Sequence, residues 1–174
     1  AGRLLCVEAS DEFADVARRV LRYAGFDEDK AAVVVAKGSD AVPLVEAFLA
    51  SGDPSHSASG HQLDFLFLDH AKEAYAPDLA AFEDAGLLRR GAAVLADNVL
   101  YPGAPGYLDH VKPPYYATTL FPAPYESVGW ETNWKPVDDA MSLSIFQRAR
   151  ASSSSSSSSG AAAALEEVVA ASSS

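Results

Sequence analysis

Apolar residues come in short blocks, and stretches of helical periodicity lie between them. Gly2 to Val7 (GRLLCV), Ala31 to Ala36 (AAVVVA), Leu63 to Leu68 (LDFLFL) and Gly91 to Ala96 (GAAVLA) are too short for helices and read as buried strands. Between the first two, Phe13, Val16, Ala17, Val20, Leu21 and Ala24 recur at helical spacing. Ser10 or Asp11 caps that helix, and Gly25 ends it. Ser39 or Asp40 caps a second helix running to about Leu49, and Asp78 to Leu88 supplies a third, closed by Arg89, Arg90 and Gly91. After Asn98, YPGAP makes a rigid turn before a helix through about Val111. Tyr116 to Phe121 and Met141 to Gln147 read as an antiparallel pair at the sheet edge, joined by a long loop carrying Trp130, Glu131, Asn133 and Trp134. Strand alternating with helix predicts an α/β sheet, mostly parallel, with helices on both faces.

Composition narrows the picture. The chain has 174 residues and a formal net charge of −11, so one domain is expected and phosphate backbones are repelled, which excludes nucleic acid as a partner. No apolar stretch approaches the ~20 residues of a membrane span. The single cysteine, Cys6, sits in an apolar run and reads as an inert core residue of a reducing compartment, here the cytoplasm. His56 and His61 fall in a polar loop, Ser51 to His61, with nothing around them that resembles a ligand cluster. From Ala151 the composition turns to serine and alanine runs, so residues 1–150 are expected to form the domain and 151–174 a disordered tail.

The candidate chemistry lies where apolar blocks stop. Leu63–Leu68 ends in Asp69, and Gly91–Ala96 ends in Asp97 and Asn98. Right-handed crossover makes these strands parallel, so all three residues emerge at the edge where such sheets bind ligands. Two carboxylates and an amide are hard oxygen donors suited to Mg²⁺, and Lys72 overhangs the same spot. Each residue singly is equally a turn former or helix cap. Glu8, closing the first strand, is placed either to accept hydrogen bonds from the two hydroxyls of a ribose or to cap the following helix.

VEAS with Glu8, FLFLDHAK, GLLRRGAAVLADN and YPGAP together resemble the catechol O-methyltransferase family, over most of Gly2 to Val111 and more weakly to Gln147. The resemblance implies a Rossmann-like class I methyltransferase sheet and transfer of a methyl group from S-adenosylmethionine to a Mg²⁺-chelated catechol. By position it makes Asp69, Asp97 and Asn98 the metal ligands and Lys72 the general base. Glu8, Ser39 and His70 fall to the methyl donor, and Pro102 to the mouth of the catechol pocket. A late residue contacting the second catechol hydroxyl falls closest to Asn133, with Glu126 and Glu131 nearby. Where the family places a tryptophan against the adenine, this chain has Ala71.

The family also has a strand and a glycine-rich turn ahead of the position of Gly2, and helices before them. The chain opens at Ala1 directly into a strand, so an N-terminally truncated domain is expected. The strand so implied belongs centrally, between the first and third strands here, and without it two apolar edges would lie open or mispair. The competing expectation is a remnant without catalysis that serves as a binding module.

Overall fold

The computed structural model describes residues 2–52, 61–125, 129, 133 and 135–149. His56, Glu126, Trp130, Glu131, Trp134 and the segment 151–174 lie outside them.

Strand β1 (Leu4–Glu8) leads into helix α1 (Asp11–Tyr23), and β2 (Ala31–Val35) returns parallel to β1. Ser10 is the cap of α1, its hydroxyl accepting from the Phe13 amide, and Gly25 leaves the helix at φ 87°. A 3-10 turn, Gly38–Ala41, precedes α2 (Val42–Ala50). Neither Ser39 nor Asp40 caps this helix: both lie within the 3-10 turn, and Pro43 near the start of α2 fixes its entry instead.

Strand β3 (Leu63–Leu68), helix α3 (Tyr75–Asp84) and strand β4 (Leu88–Ala96) form the expected βαβ unit, with β3 and β4 parallel. Its crossover helix begins and ends earlier than its sequence suggests. Gly86, at φ 68°, closes it, so Arg89 and Arg90 lie in β4, where Arg89 pairs across to Asp64. Helix α4 is one turn, Tyr107–His110. Strands β5 (Tyr116–Pro124) and β6 (Asp138–Phe146) are antiparallel, with β6 inserted between β4 and β5.

The strands make two sheets, β1–β2 and β3–β4–β6–β5. Helix α1 packs against β2 and β1, while α2 and α3 meet through Val45 and Phe82. Leu68, Tyr75, Leu79, Val94, Tyr107 and Tyr116 form the larger core, under α3 and α4. Ala41, Val45, Phe82 and Leu87 form a second core, which Leu5 of β1 and Leu63 of β3 both touch, and it fastens the two sheets together. Helix α1 packs through Ala14 and leaves Phe13, Val16 and Val20 exposed, although their spacing marks them as its apolar face. The edges of β1 and β3 not paired with β2 and β4 have no strand partner among the described residues. Cys6 is half-buried, and burial raises its thiol above the ordinary range, which keeps it protonated at neutral pH.

Candidate active site at the carboxyl ends of the central strands

Leu68 and Ala96 are register partners, and the Asp97 amide donates to the Leu68 carbonyl at 3.1 Å. Asp69 and Asp97 therefore leave the sheet side by side. Lys72 turns back over this edge from the 3-10 turn Lys72–Ala74 and donates to Asp69 Oδ1 at 3.0 Å and to the Tyr75 hydroxyl at 2.7 Å. Tyr75, fully buried at the start of α3, donates in turn to the Asp97 carbonyl at 3.2 Å. The four residues singled out by sequence, Asp69, Lys72, Asp97 and Asn98, are thus gathered at one strand edge, joined through a tyrosine that sequence reasoning did not find.

The electrostatics follow from these contacts. Burial pulls the Lys72 ammonium down, but its bonds to Tyr75 and Asp69 outweigh that and hold it above the usual lysine value. Burial pushes the Tyr75 phenol up, against the opposing pull of Lys72. Among the described residues no three His, Cys, Asp or Glu side chains cluster as a metal site. The candidate donors are two carboxylates completed by an amide. That set fits a hard divalent cation: Asp69 is exposed, Asp97 half-exposed, and both are adjacent at a sheet edge.

Asn98 is buried and sits in the left-handed region at φ 54°. Its side-chain nitrogen donates to Asp139 Oδ2 at 2.8 Å, while Asp139 Oδ1 receives the amides of Leu100 (3.1 Å) and Tyr101 (2.9 Å). Burial would raise the Asp139 carboxyl, but these donors and the Ala140 amide together hold it below the usual carboxylate range. The turn that follows, Val99–Gly103, carries a cis bond between Tyr101 and Pro102 and leaves Pro102 exposed beside the site. Asp139 is 41 positions from Asn98 in sequence, and its signal could have been no more than an acidic residue at the start of a strand bordering β4.

A second group borders the first. His70 Nε2 lies 2.8 Å from Asp78 Oδ2, and the Gly38 α-carbon packs against the same carboxylate. The loops after β2 and β3 therefore meet at Asp78, which brings Ser39, exposed beside Gly38, to the same edge as His70. Glu8 ends β1, and its Oε1 accepts from the Ser10 amide at 2.9 Å, so it does serve the helix start, half-buried. Asn133 is exposed in the connection between β5 and β6.

Parallel β1–β2 and β3–β4 pairs, an antiparallel edge and acidic residues at the strand ends define the class: this is the Rossmann-like methyltransferase fold. The S-adenosylmethionine complex of the Streptomyces achromogenes O-methyltransferase TomG superposes with a TM-score of 0.53 at 23% identity, over 84% of this chain and 62% of that one. No family model matches the chain. Among curated proteins it is similar to the catechol O-methyltransferases. The bovine enzyme is 38% identical over 110 residues, covering 63% of this chain and 37% of its own length. The pig enzyme is 38% identical over 112 residues, covering 64% and 55%. The chain thus spans between about a third and just over half of these relatives.

Proposed function

We propose that the protein is an S-adenosylmethionine-dependent O-methyltransferase and that its acceptor is a catechol chelated by Mg²⁺. The observation that carries this reading is the convergence of Asp69, Lys72, Asp97 and Asn98 at the carboxyl ends of β3 and β4. The names of the relatives support the methyl transfer. The chemistry of the donor set supports the cation.

A phenol of pKa about 10 is a poor nucleophile at neutral pH, and the site has to lower that barrier. A divalent cation held by Asp69, Asp97 and the Asn98 oxygen would stabilise the phenolate and fix the direction of its attack. Lys72 Nζ would take the phenol proton. It is held protonated by Asp69 and Tyr75, so drawing the Asp69 carboxylate away from the ammonium would release part of that hold. Glu8 would accept from the ribose hydroxyls of the donor, Ser39 and His70 would flank its adenine, and Pro102 and Asn133 would border the acceptor. The open edges of β1 and β3 support the further reading that the complete protein has a strand and glycine-rich turn between them for the methionine portion of the donor.

The test is calorimetric titration of S-adenosylmethionine into the chain with and without Mg²⁺, followed by transfer of a labelled methyl group to catechol. It is run on the chain itself and on a version extended by its upstream coding sequence. Mg²⁺-dependent transfer that Asp97→Ala abolishes is expected. Transfer indifferent to both Mg²⁺ and Asp97→Ala would sink the mechanism.

A further inference from the structure

We infer that Asp139 is the positioning residue of the candidate cation site: it dictates which atom Asn98 turns toward a divalent cation. The inference rests on the reading of Asp69, Asp97 and Asn98 as that site.

The oxygen and nitrogen of an asparagine amide are nearly indistinguishable by shape, and only the hydrogen-bond network decides which way the group faces. A hard cation takes the oxygen and not the NH₂. At Asn98 the contact with Asp139 decides in one direction. Asp139 is 4% exposed, and its ionised carboxylate can only accept, so the group facing Oδ2 at 2.8 Å has to be the Asn98 NH₂. The amide oxygen is thereby turned away from Asp139. The other carboxylate oxygen is engaged by two backbone donors, Leu100 and Tyr101, which tie Asp139 to the turn leading to Pro102. One buried side chain on β6 thus sets both the ligand atom of Asn98 and the backbone that follows it.

Asp139→Asn separates these roles while conserving shape. The single oxygen of the new amide is claimed by Leu100 and Tyr101, whose N–H groups cannot donate to an NH₂. Its NH₂ then faces Asn98, which satisfies it by reversing its own amide and presenting nitrogen to the cation. The double variant Asn98→Asp with Asp139→Asn restores the logic: the new carboxylate accepts from the new amide with one oxygen and keeps the other for the cation.

The experiment measures Mn²⁺ binding to the full 174-residue chain by the electron paramagnetic resonance of free Mn²⁺, with circular dichroism as the check on folding. The parent chain is expected to bind and Asp97→Ala to lose binding. Asp139→Asn is expected to weaken binding about 10- to 100-fold, as for other changes behind a metal ligand, with the fold retained. The double variant should return affinity toward the parent's. Unchanged affinity in Asp139→Asn, or a double variant no tighter than the single one, overturns the inference while leaving the cation site standing. A parent that does not bind, or binding that survives Asp97→Ala, overturns the cation site itself and this inference with it. Should Asp139→Asn alone fail to fold, the double variant decides: binding by it supports the inference. Failure to bind or fold by a swap that conserves the bonds of residue 139 to residue 98, Leu100 and Tyr101 overturns it.

Discussion

Gly38 shows how much one residue carries at the strand edge. Its φ is +45°, and a Cβ there would stand 2.5 Å from Asp78 Oδ1 and 2.8 Å from Cγ. Asp78 is buried and held by His70, so it cannot simply swing aside. Gly25 is the natural control, since its φ is +87° but a Cβ would meet nothing within 4 Å. Gly25→Ala is expected to cost the backbone strain alone, about 1 kcal/mol. Gly38→Ala should cost about 2–4 kcal/mol, because strain is joined by displacement of a buried carboxylate. Urea denaturation of the two variants measures the difference, and equal losses would show that the Asp78 contact carries no weight. Asp69, Asp97 and Asn98 stand out in the sequence because they follow the ends of apolar blocks, and Lys72 because it lies three residues past Asp69. Asp78, Tyr75 and Asp139 do not, because each acts from within a helix or strand on a partner that only the tertiary fold brings near. Asp78 reads locally as nothing more than an acidic first turn.

At the scale of elements, α3, α4 and β5 are joined by polar contacts inside the larger core. Glu83 on α3, 4% exposed at its side chain, lies 2.7 Å from His110 Nε2 and receives the Tyr116 hydroxyl at 2.6 Å. Tyr116→Phe removes a bond to a buried carboxylate and is expected to cost about 2 kcal/mol by urea denaturation. Tyr107, fully buried in α4, gives the same core a sensitivity to alkali. Burial raises its phenol above the ordinary value, and hydrogen bonding with Ser142 and Ser144 only partly offsets this. A group whose folded pKa is raised stabilises fully below its unfolded pKa, here about 10, and that stability is lost as pH rises through the folded value. The urea midpoint should therefore hold between about pH 7 and 9 and fall above 10, at up to about 1.4 kcal/mol per pH unit for each such tyrosine. Tyr107→Phe should make that fall shallower, and an unchanged slope would assign it to other groups. Element types were legible from period and length, but ends were less so. Two glycines, Gly86 and Gly91, could each close α3, and only packing chose the first, since Leu87 and Leu88 are buried beyond it.

For the whole molecule the governing fact is that one face of the larger sheet is covered and the other is partly exposed. Leu68, Val94, Ala96, Ser142 and Ser144 face α3 and α4 and are buried. The alternate positions Phe65, Phe67, Leu95, Leu143 and Ile145 face the other way. Phe65 is 53% and Phe67 47% exposed, and Phe13, Val16 and Val20 of α1 are exposed as well. The sequence could not show this, because a strand covered on one face and a strand covered on both carry similar apolar runs when the second face is built to be buried. An apolar surface of this kind is a binding face or an association liability. The chain should bind a hydrophobic dye such as anilinonaphthalene sulfonate under native conditions. The double variant Phe65→Ser, Phe67→Ser should cut that signal about twofold or more while changing stability by only about 1 kcal/mol, since the side chains it removes are already half in water. Leu79→Ala, on the covered face and 0% exposed, should instead cost about 2–5 kcal/mol. If the two phenylalanines prove as costly as Leu79, their face is covered in solution, and the dye signal of the parent chain should then be absent as well.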